Sequence, residues 1–216
     1  ALAKFPVEEK SFEEIFEKMK RIRKEEEELQ KYVTAIVLEN IKTRRSIRRY
    51  KPEDVPKGVV EKLVSVAAYA PSAGNHQPWE FIIVRDKKMK EDLKEACFMQ
   101  DWMTEAPVFV VVCINMRLAK AIFGERGEKL YGIQATAAAI QNFLLAAHAM
   151  GLGTCWVGAF SEPKVAVLLR CPDYIRPCAI ITLGYPAEKP PVPKRQDLED
   201  IIHYERFRSL ERGKVH

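Results

Sequence analysis

The chain has 216 residues, 47% of them hydrophobic, enough for one sizeable domain or one compact domain with an extension. Its 35 basic and 30 acidic residues leave a net charge of +5, which permits an anionic ligand but is too even for a dedicated nucleic-acid binder. Five cysteines without a CxxC pair, and four histidines with no Cys or carboxylate at ligand spacing, favour free thiols in a reducing compartment over a zinc site.

Residues Ser11–Ile41 read as one long helix, or two end to end, because Phe12, Ile15, Phe16, Met19, Ile22, Leu29, Val33, Ile36 and Val37 recur at three- and four-residue steps. Between Glu8 and Lys31, 16 of 24 residues are charged, so the apolar stripe is narrow. Pairs such as Glu14–Lys18, Glu17–Arg21 and Glu27–Lys31 support its solvated face. Such a stripe commonly lies across another surface, often a partner subunit; the alternative is a partly frayed extension. Residues 1–31 are therefore expected to form a charged N-terminal helical extension, and residues 32–216 a single domain.

The pattern then runs into TRRSIRRY at Thr43–Tyr50, where four arginines and a serine are flanked by Lys42 and Lys51. Guanidinium forks and a hydroxyl at a helix end suit a bound phosphate. The same stretch also reads as a solvated basic patch, or one touching nucleic acid non-specifically. Downstream, Gly58–Ala70 reads as a helix stopping before Pro71, Phe81–Val84 as a strand and Asp86–Met99 as an amphipathic helix. Pro107–Ile114 (PVFVVVCI) is bulky enough for a central strand covered on both faces. Gly132–Met150 is the most apolar helix, with Gly151 as a left-handed stop, and belongs in a core or a large subunit interface. Thr154–Val157 and Cys178–Leu183 read as strands separated by a helix near Glu162–Leu169, and the basic, proline-rich tail ends in a helical piece from Leu198 to Phe207.

Several chemistries lack support. GLGTCW at Gly151–Trp156 follows a helix and precedes a strand, the wrong order for a phosphate-cradling turn. There is no Walker-type loop, and no serine sits in a nucleophile elbow. Asp86, Asp101 and Glu105 read as surface carboxylates. The first residues lack a signal peptide's apolar core, and no apolar run approaches the roughly 18 residues that span a bilayer. The expectation is a soluble, cytoplasmic protein with no membrane, nucleic-acid or metal partner.

TRRSIRRY, PSAGNHQPW at Pro71–Trp79, the AAAIQNFLLAAHAMGLGTCWVGAF block at Ala137–Phe160 and LEDIIHYERF at Leu198–Phe207 occur in one order. That order resembles the nitroreductase family of FMN-dependent oxidoreductases, from about Leu38 to Phe207. The resemblance implies an α+β, nitroreductase-like three-layer sandwich: a central, mainly antiparallel sheet flanked by helices, in an intertwined homodimer with FMN at the subunit interface. It implies that Arg44 and Ser46 hold the phosphate and ribityl end with Arg45 beside them, while Arg48 reaches the pyrimidine side of the ring. From the partner chain, Pro71, Ser72, Ala73 and Asn75 would cover the flavin. Trp156, Val157 and Gly158 would pass along the ring, and Lys194 and Arg195 would close on the phosphate. Trp79 and Gln77 read as structural; His76 is open between a substrate-facing role and none. Ala73, Gln134 and Asp197 stand where the family often has a serine, an acidic residue and a proline.

The implied activity is hydride transfer from NADH or NADPH to a small-molecule acceptor such as a nitroaromatic, quinone or flavin, by a ping-pong mechanism. It needs no protein acid or base, so no catalytic side chain is named. Two alternatives stand beside it: a same-fold flavoenzyme with a dedicated substrate (a dehalogenase or dehydrogenase), and a non-catalytic flavin- or nucleic-acid-binding protein.

Overall fold

The computed structural model describes residues 27–207 together with Glu14 and Glu17. Most of the expected 1–31 extension, and the helix over Ser11–Ile41 up to Glu27, lie outside the described residues. The described helices are α1 (Glu27–Thr43), α2 (Lys57–Ala67), α3 (Lys87–Ala96), α4 (Met116–Arg126), α5 (Gly132–Ala149), α6 (Glu162–Leu168) and α7 (Leu198–Ile201). Strands β1 (Trp79–Val84), β2 (Val108–Asn115), β3 (Gly153–Val157) and β4 (Ile175–Gly184) form one sheet in the order β1-β2-β4-β3.

Every strand pairing is antiparallel. Central β2 is buried at each position except Asn115, as its run of valines requires. Its alternation sends Val108, Val110 and Val112 to a layer made by α2 and α5, and Phe109, Val111 and Cys113 to a layer made by α3, α6 and the 3-10 turn Asp101–Glu105. The molecule is thus the expected α+β three-layer sandwich. The β2–β4 register shifts between Val112 and Cys113, opposite Pro177, because proline has no N–H for the ladder.

Element ends moved where packing decides them. α2 stops at Ala67 and α3 at Ala96, short of the expected Ala70 and Met99. The tail helix covers only Leu198–Ile201, with none of its residues buried, so little tertiary contact supports a longer one. α4 and the π-helical turn Gly127–Tyr131 were not foreseen, because two glycines break their periodicity. Gly127 is forced by space: a Cβ there would stand 1.8 Å from the Ala119 carbonyl oxygen.

α5 buries Ala135, Ala139, Ile140, Phe143, Leu144 and Ala147 in the core, and Gly151 adopts φ 74° just beyond it, as expected. α1 crosses residue 31 without a break and lies against α5, where Asn40 Nδ2 donates to the Leu145 carbonyl at 3.0 Å. Around that contact Tyr32, Ile36, Val37, Leu38 and Ile41 stay exposed, Ile36 to 68%. Among the described residues no helix is long and apolar enough to cross a membrane.

Candidate functional site

The arginine stretch leaves α1 and runs along edge strand β3. The Ile47 N–H donates to the Thr154 carbonyl at 2.9 Å, and Ser46 bridges Thr154 in parallel. Two glycines in register, Gly153 and Gly184, make this crossing possible. A Cβ on Gly153 would lie 3.0 Å from Ile47, and one on Gly184 would lie 2.9 Å from Tyr50. Ile47 and Tyr50 are buried between the layers, and the Tyr50 hydroxyl donates to the Ile47 carbonyl at 2.6 Å. In an extended segment, burying Ile47 turns Ser46 and Arg48 the other way.

The arginines divide their work. Arg45 Nη1 donates to the carbonyls of Lys42 (2.6 Å) and Arg44 (2.8 Å), satisfying acceptors left open at the C-terminus of α1. That terminus carries partial negative charge, which would repel an anion if left uncapped. Arg44 is freed by this arrangement, and its guanidinium lies near that of Arg195 from the tail. Burial, then Arg195, then Arg45 depress its pKa from the usual guanidinium value. Among the described residues no carboxylate pairs with Arg44 or Arg195. Two unpaired guanidiniums held together, one of them half-buried, make a site for a dianion such as phosphate. His148 fits this field: burial, then Arg44 and Arg45, lower its pKa, and its Nε2 sits 2.9 Å from Thr43 Oγ1.

Arg48 extends along the same side, its guanidinium 5.5 Å from the Trp102 ring centroid. Arg49 turns to Glu105 at 3.3 Å, and Glu105 also accepts the Tyr50 N–H at 3.1 Å. Glu105 is therefore more than the surface carboxylate expected from sequence. Nearby, β3 presents Cys155, Trp156 and Val157. The Cys155 thiol is pushed up by burial, although Arg48, a hydrogen bond with Ser46, and Arg44 pull it down. The Val157 side chain points into the core, so only its main chain faces outward, whereas Trp156 is 41% exposed. Beyond it, a Cβ on Gly158 would meet only Trp156 Nε1, at 3.9 Å, which leaves bare main chain with open space above. Lys194 is exposed on the tail.

The loop Pro71–Gln77 is held by its own bonds. Gln77 N–H donates to Ser72 Oγ at 2.9 Å and Asn75 N–H to the Ser72 carbonyl at 2.9 Å. Gly74, Asn75 and Gln77 all have positive φ, a strained arrangement for the two non-glycines that aims polar groups outward. Ala73 and His76 lie by Phe123 and the start of α5, with the His76 and Phe123 rings 6.0 Å apart. Trp79 is in the core, as read from sequence.

One chain keeps these two motifs apart. The loop precedes β1, whose Trp79 pairs with Ile114, itself opposite Arg176 at the start of β4. The arginine stretch flanks β3 at Thr154, opposite Leu183 near the end of β4. The motifs therefore occupy diagonal corners of the sheet, about 19 Å apart across four strand spacings and about 23 Å along β4. The ends of α5 agree: its N-terminus adjoins the loop and its C-terminus the arginines, about 27 Å away.

Glu188, Trp102 and Lys90 join the site without a sequence signal. Glu188 Oε1 accepts the N–H groups of Arg48 (2.5 Å) and Arg49 (3.1 Å), although 140 residues separate it from Arg48. Lys90 is buried and donates to the Ala106 carbonyl at 2.8 Å, steadying the turn that carries Glu105. No periodicity marks such partners.

Known proteins match this architecture. The family model described as "Nitroreductase family" matches residues 41–100 and 97–185. A protein of Methanothermobacter thermautotrophicus that carries the name NADH dehydrogenase/NAD(P)H nitroreductase is 39% identical over 177 residues, covering 79% of this chain and 87% of its own. The FMN reductase [NAD(P)H] of Bacillus subtilis is 28% identical, with 79% and 74% of the two chains covered. The structure of the NADPH:FMN oxidoreductase from Vibrio harveyi, complexed with NAD+, is similar at TM-score 0.75 and 25% identity, covering 81% of this chain and 79% of that one.

Proposed function

The chain belongs to the nitroreductase family, and on that premise we propose that it is an FMN-dependent oxidoreductase. It takes hydride from NADH or NADPH and delivers it to a small-molecule acceptor such as a nitroaromatic, a quinone or a flavin, in a ping-pong cycle. The observation that carries this reading is the unpaired Arg44–Arg195 couple by Ser46 at the Thr154 end of β3, with open main chain at Gly158 just past the strand's other end. A phosphate monoester needs the first, and a flat ring the second. The residues present therefore fit FMN, which would supply the hydride-carrying centre.

Arg44, Ser46 and Arg195 would hold the phosphate, with Lys194 adding positive charge. Arg45 serves as the helix cap that keeps Arg44 free. Arg48 would set a cation at the pyrimidine side, and Trp156, Val157 and Gly158 would line the ring, Val157 through its main chain. Pro71, Ser72, Ala73 and Asn75 cannot reach the same ligand from the same chain, given the diagonal separation above. A twofold pairing that sets α5 of two copies antiparallel brings each loop to the other copy's arginines and makes two equal sites. The exposed apolar residues of α1 around its contact with α5 support such a homodimer. Residues 32–216 form the FMN-binding unit and 1–31 an extension, in a cytoplasmic enzyme whose thiols stay free.

The test is direct. Purified protein should show the two visible absorption bands of oxidised flavin, bleach anaerobically with NADH or NADPH, and recover on adding a quinone or nitroaromatic. Protein that takes up no FMN, or whose flavin neither nicotinamide reduces, would overturn the reading.

A further inference from the structure

We propose that Glu188 is a positioning residue that fastens the C-terminal tail to the arginine loop and offsets the positive field of Arg48, thereby setting the FMN reduction potential; this rests on the FMN reading above. After β4 the chain turns back along the arginine stretch. Lys51 N–H donates to the Tyr185 carbonyl and Ala187 N–H to the Arg49 carbonyl, both at 2.9 Å, around an antiparallel bridge between Tyr50 and Pro186. The ladder ends there, and the Glu188 side chain takes over by accepting from Arg48 N–H and Arg49 N–H. With Glu105 accepting from Tyr50 N–H, three successive backbone donors in this cationic stretch face carboxylates instead of neutral carbonyls.

The charges are distributed unequally. Arg49 is paired with Glu105 at 3.3 Å, whereas among the described residues no carboxylate pairs with the Arg48 guanidinium, which rests on Trp102. Glu188 is the negative group fixed to the backbone of Arg48 itself. A neutral amide could accept the same two N–H bonds, so fastening alone does not require a charge. A full negative charge a few ångströms from the Arg48 backbone would disfavour the negative charge gained by the ring on reduction.

Two substitutions separate fastening from charge. Glu188→Gln keeps an oxygen for both N–H groups and removes the charge. It should bind FMN and shift the equilibrium with a reference redox dye toward the reduced protein by about two- to tenfold, tenfold being about 30 mV. Glu188→Ala also loses the fastening and should release FMN about tenfold faster or more, since charge-assisted bonds to two N–H groups are gone. Circular dichroism checks that both variants fold. An unchanged or lowered potential in Glu188→Gln overturns the electrostatic role, and wild-type FMN release from Glu188→Ala overturns the fastening role. Wild-type protein that binds no FMN would instead overturn the FMN reading itself.

Discussion

Arg44→Ala separates a guanidinium that stabilises the fold from one kept for a ligand. Arg44 is half-buried next to Arg195 and Arg45, and among the described residues it has no carboxylate partner. Its depressed pKa means that the charged form is less comfortable in the folded chain than in the unfolded one. Arginine nevertheless stays protonated in both states at neutral pH, so this penalty spans the accessible pH range and only a bound anion relieves it. Removing the side chain should leave the Tm of the FMN-free protein unchanged or raised. It should also delete one bidentate phosphate contact. Charge-assisted bonds are each worth about 1.5–3 kcal/mol, and taking the low end for a half-exposed pair gives about 3 kcal/mol, or about two orders of magnitude in Kd. Titrating FMN fluorescence into apo-protein measures the affinity, and calorimetry of the same sample measures Tm. Affinity within about threefold of wild type, or an apo-protein several degrees less stable, would refute the reasoning.

Arg48→Gln keeps length and polarity while removing the cation over Trp102. It should leave oxidised FMN bound and lower the two-electron potential by a few tens of millivolts, on the scale of about 30 mV per 1.4 kcal/mol. Spectroelectrochemistry reads this, and an unchanged potential would place Arg48 away from the ring. Ile36→Asp puts a charge among the exposed apolar residues of α1. Sedimentation should show monomer, and flavin should be lost with the second copy; a dimer that keeps FMN would mean α1 is not in the interface. Glu162 is held below the ordinary carboxylate pKa, first by its hydrogen bonds with Arg176, at 2.8 and 2.9 Å. Because the folded value is depressed, this stabilisation is present above the unfolded pKa and is lost as pH falls through the folded one. The pair is 40–46% exposed, so its worth is below about 1 kcal/mol and falls with salt. The Tm gap between wild type and Glu162→Gln should close on acidification; a gap that persists in acid would assign it to something other than ionisation.

The core elements were legible because their signals are local, whereas the α+β sandwich that joins them came from the family resemblance. The β-branched run in β2 and the alanine-rich apolar pattern of α5 each report burial through composition within one element. Each was placed within two residues of its observed ends. α4 was not legible: its kink at Gly124 and the close approach of Gly127 to Ala119 depend on how the chain returns to pack on itself. The 3-10 turn Asp101–Glu105 likewise owes its place to the sheet, with Met103 fully buried beneath it.

The amino-acid order alone carried the kinds of chemistry present: a cluster of guanidiniums and a hydroxyl, a polar loop, a glycine-rich strand end. It did so because residue type and spacing already limit what a segment can bind. Composition could not say which arginine is free, since Arg45 and Arg44 are alike in type and differ only in what surrounds them; the family resemblance alone pointed to Arg44. Tertiary structure turned Arg45 back onto carbonyls of α1, left Arg44 beside Arg195, and set Glu188 against Arg48 across 140 positions of chain. It also carried PSAGN and TRRSIRRY to opposite corners of the sheet, although only about 25 residues separate them in sequence. Separation along the chain says little about separation in space once a helix, strands and crossovers intervene. Electrostatic pairing depends on the latter, and so the division of labour within the site was decided only when the chain folded.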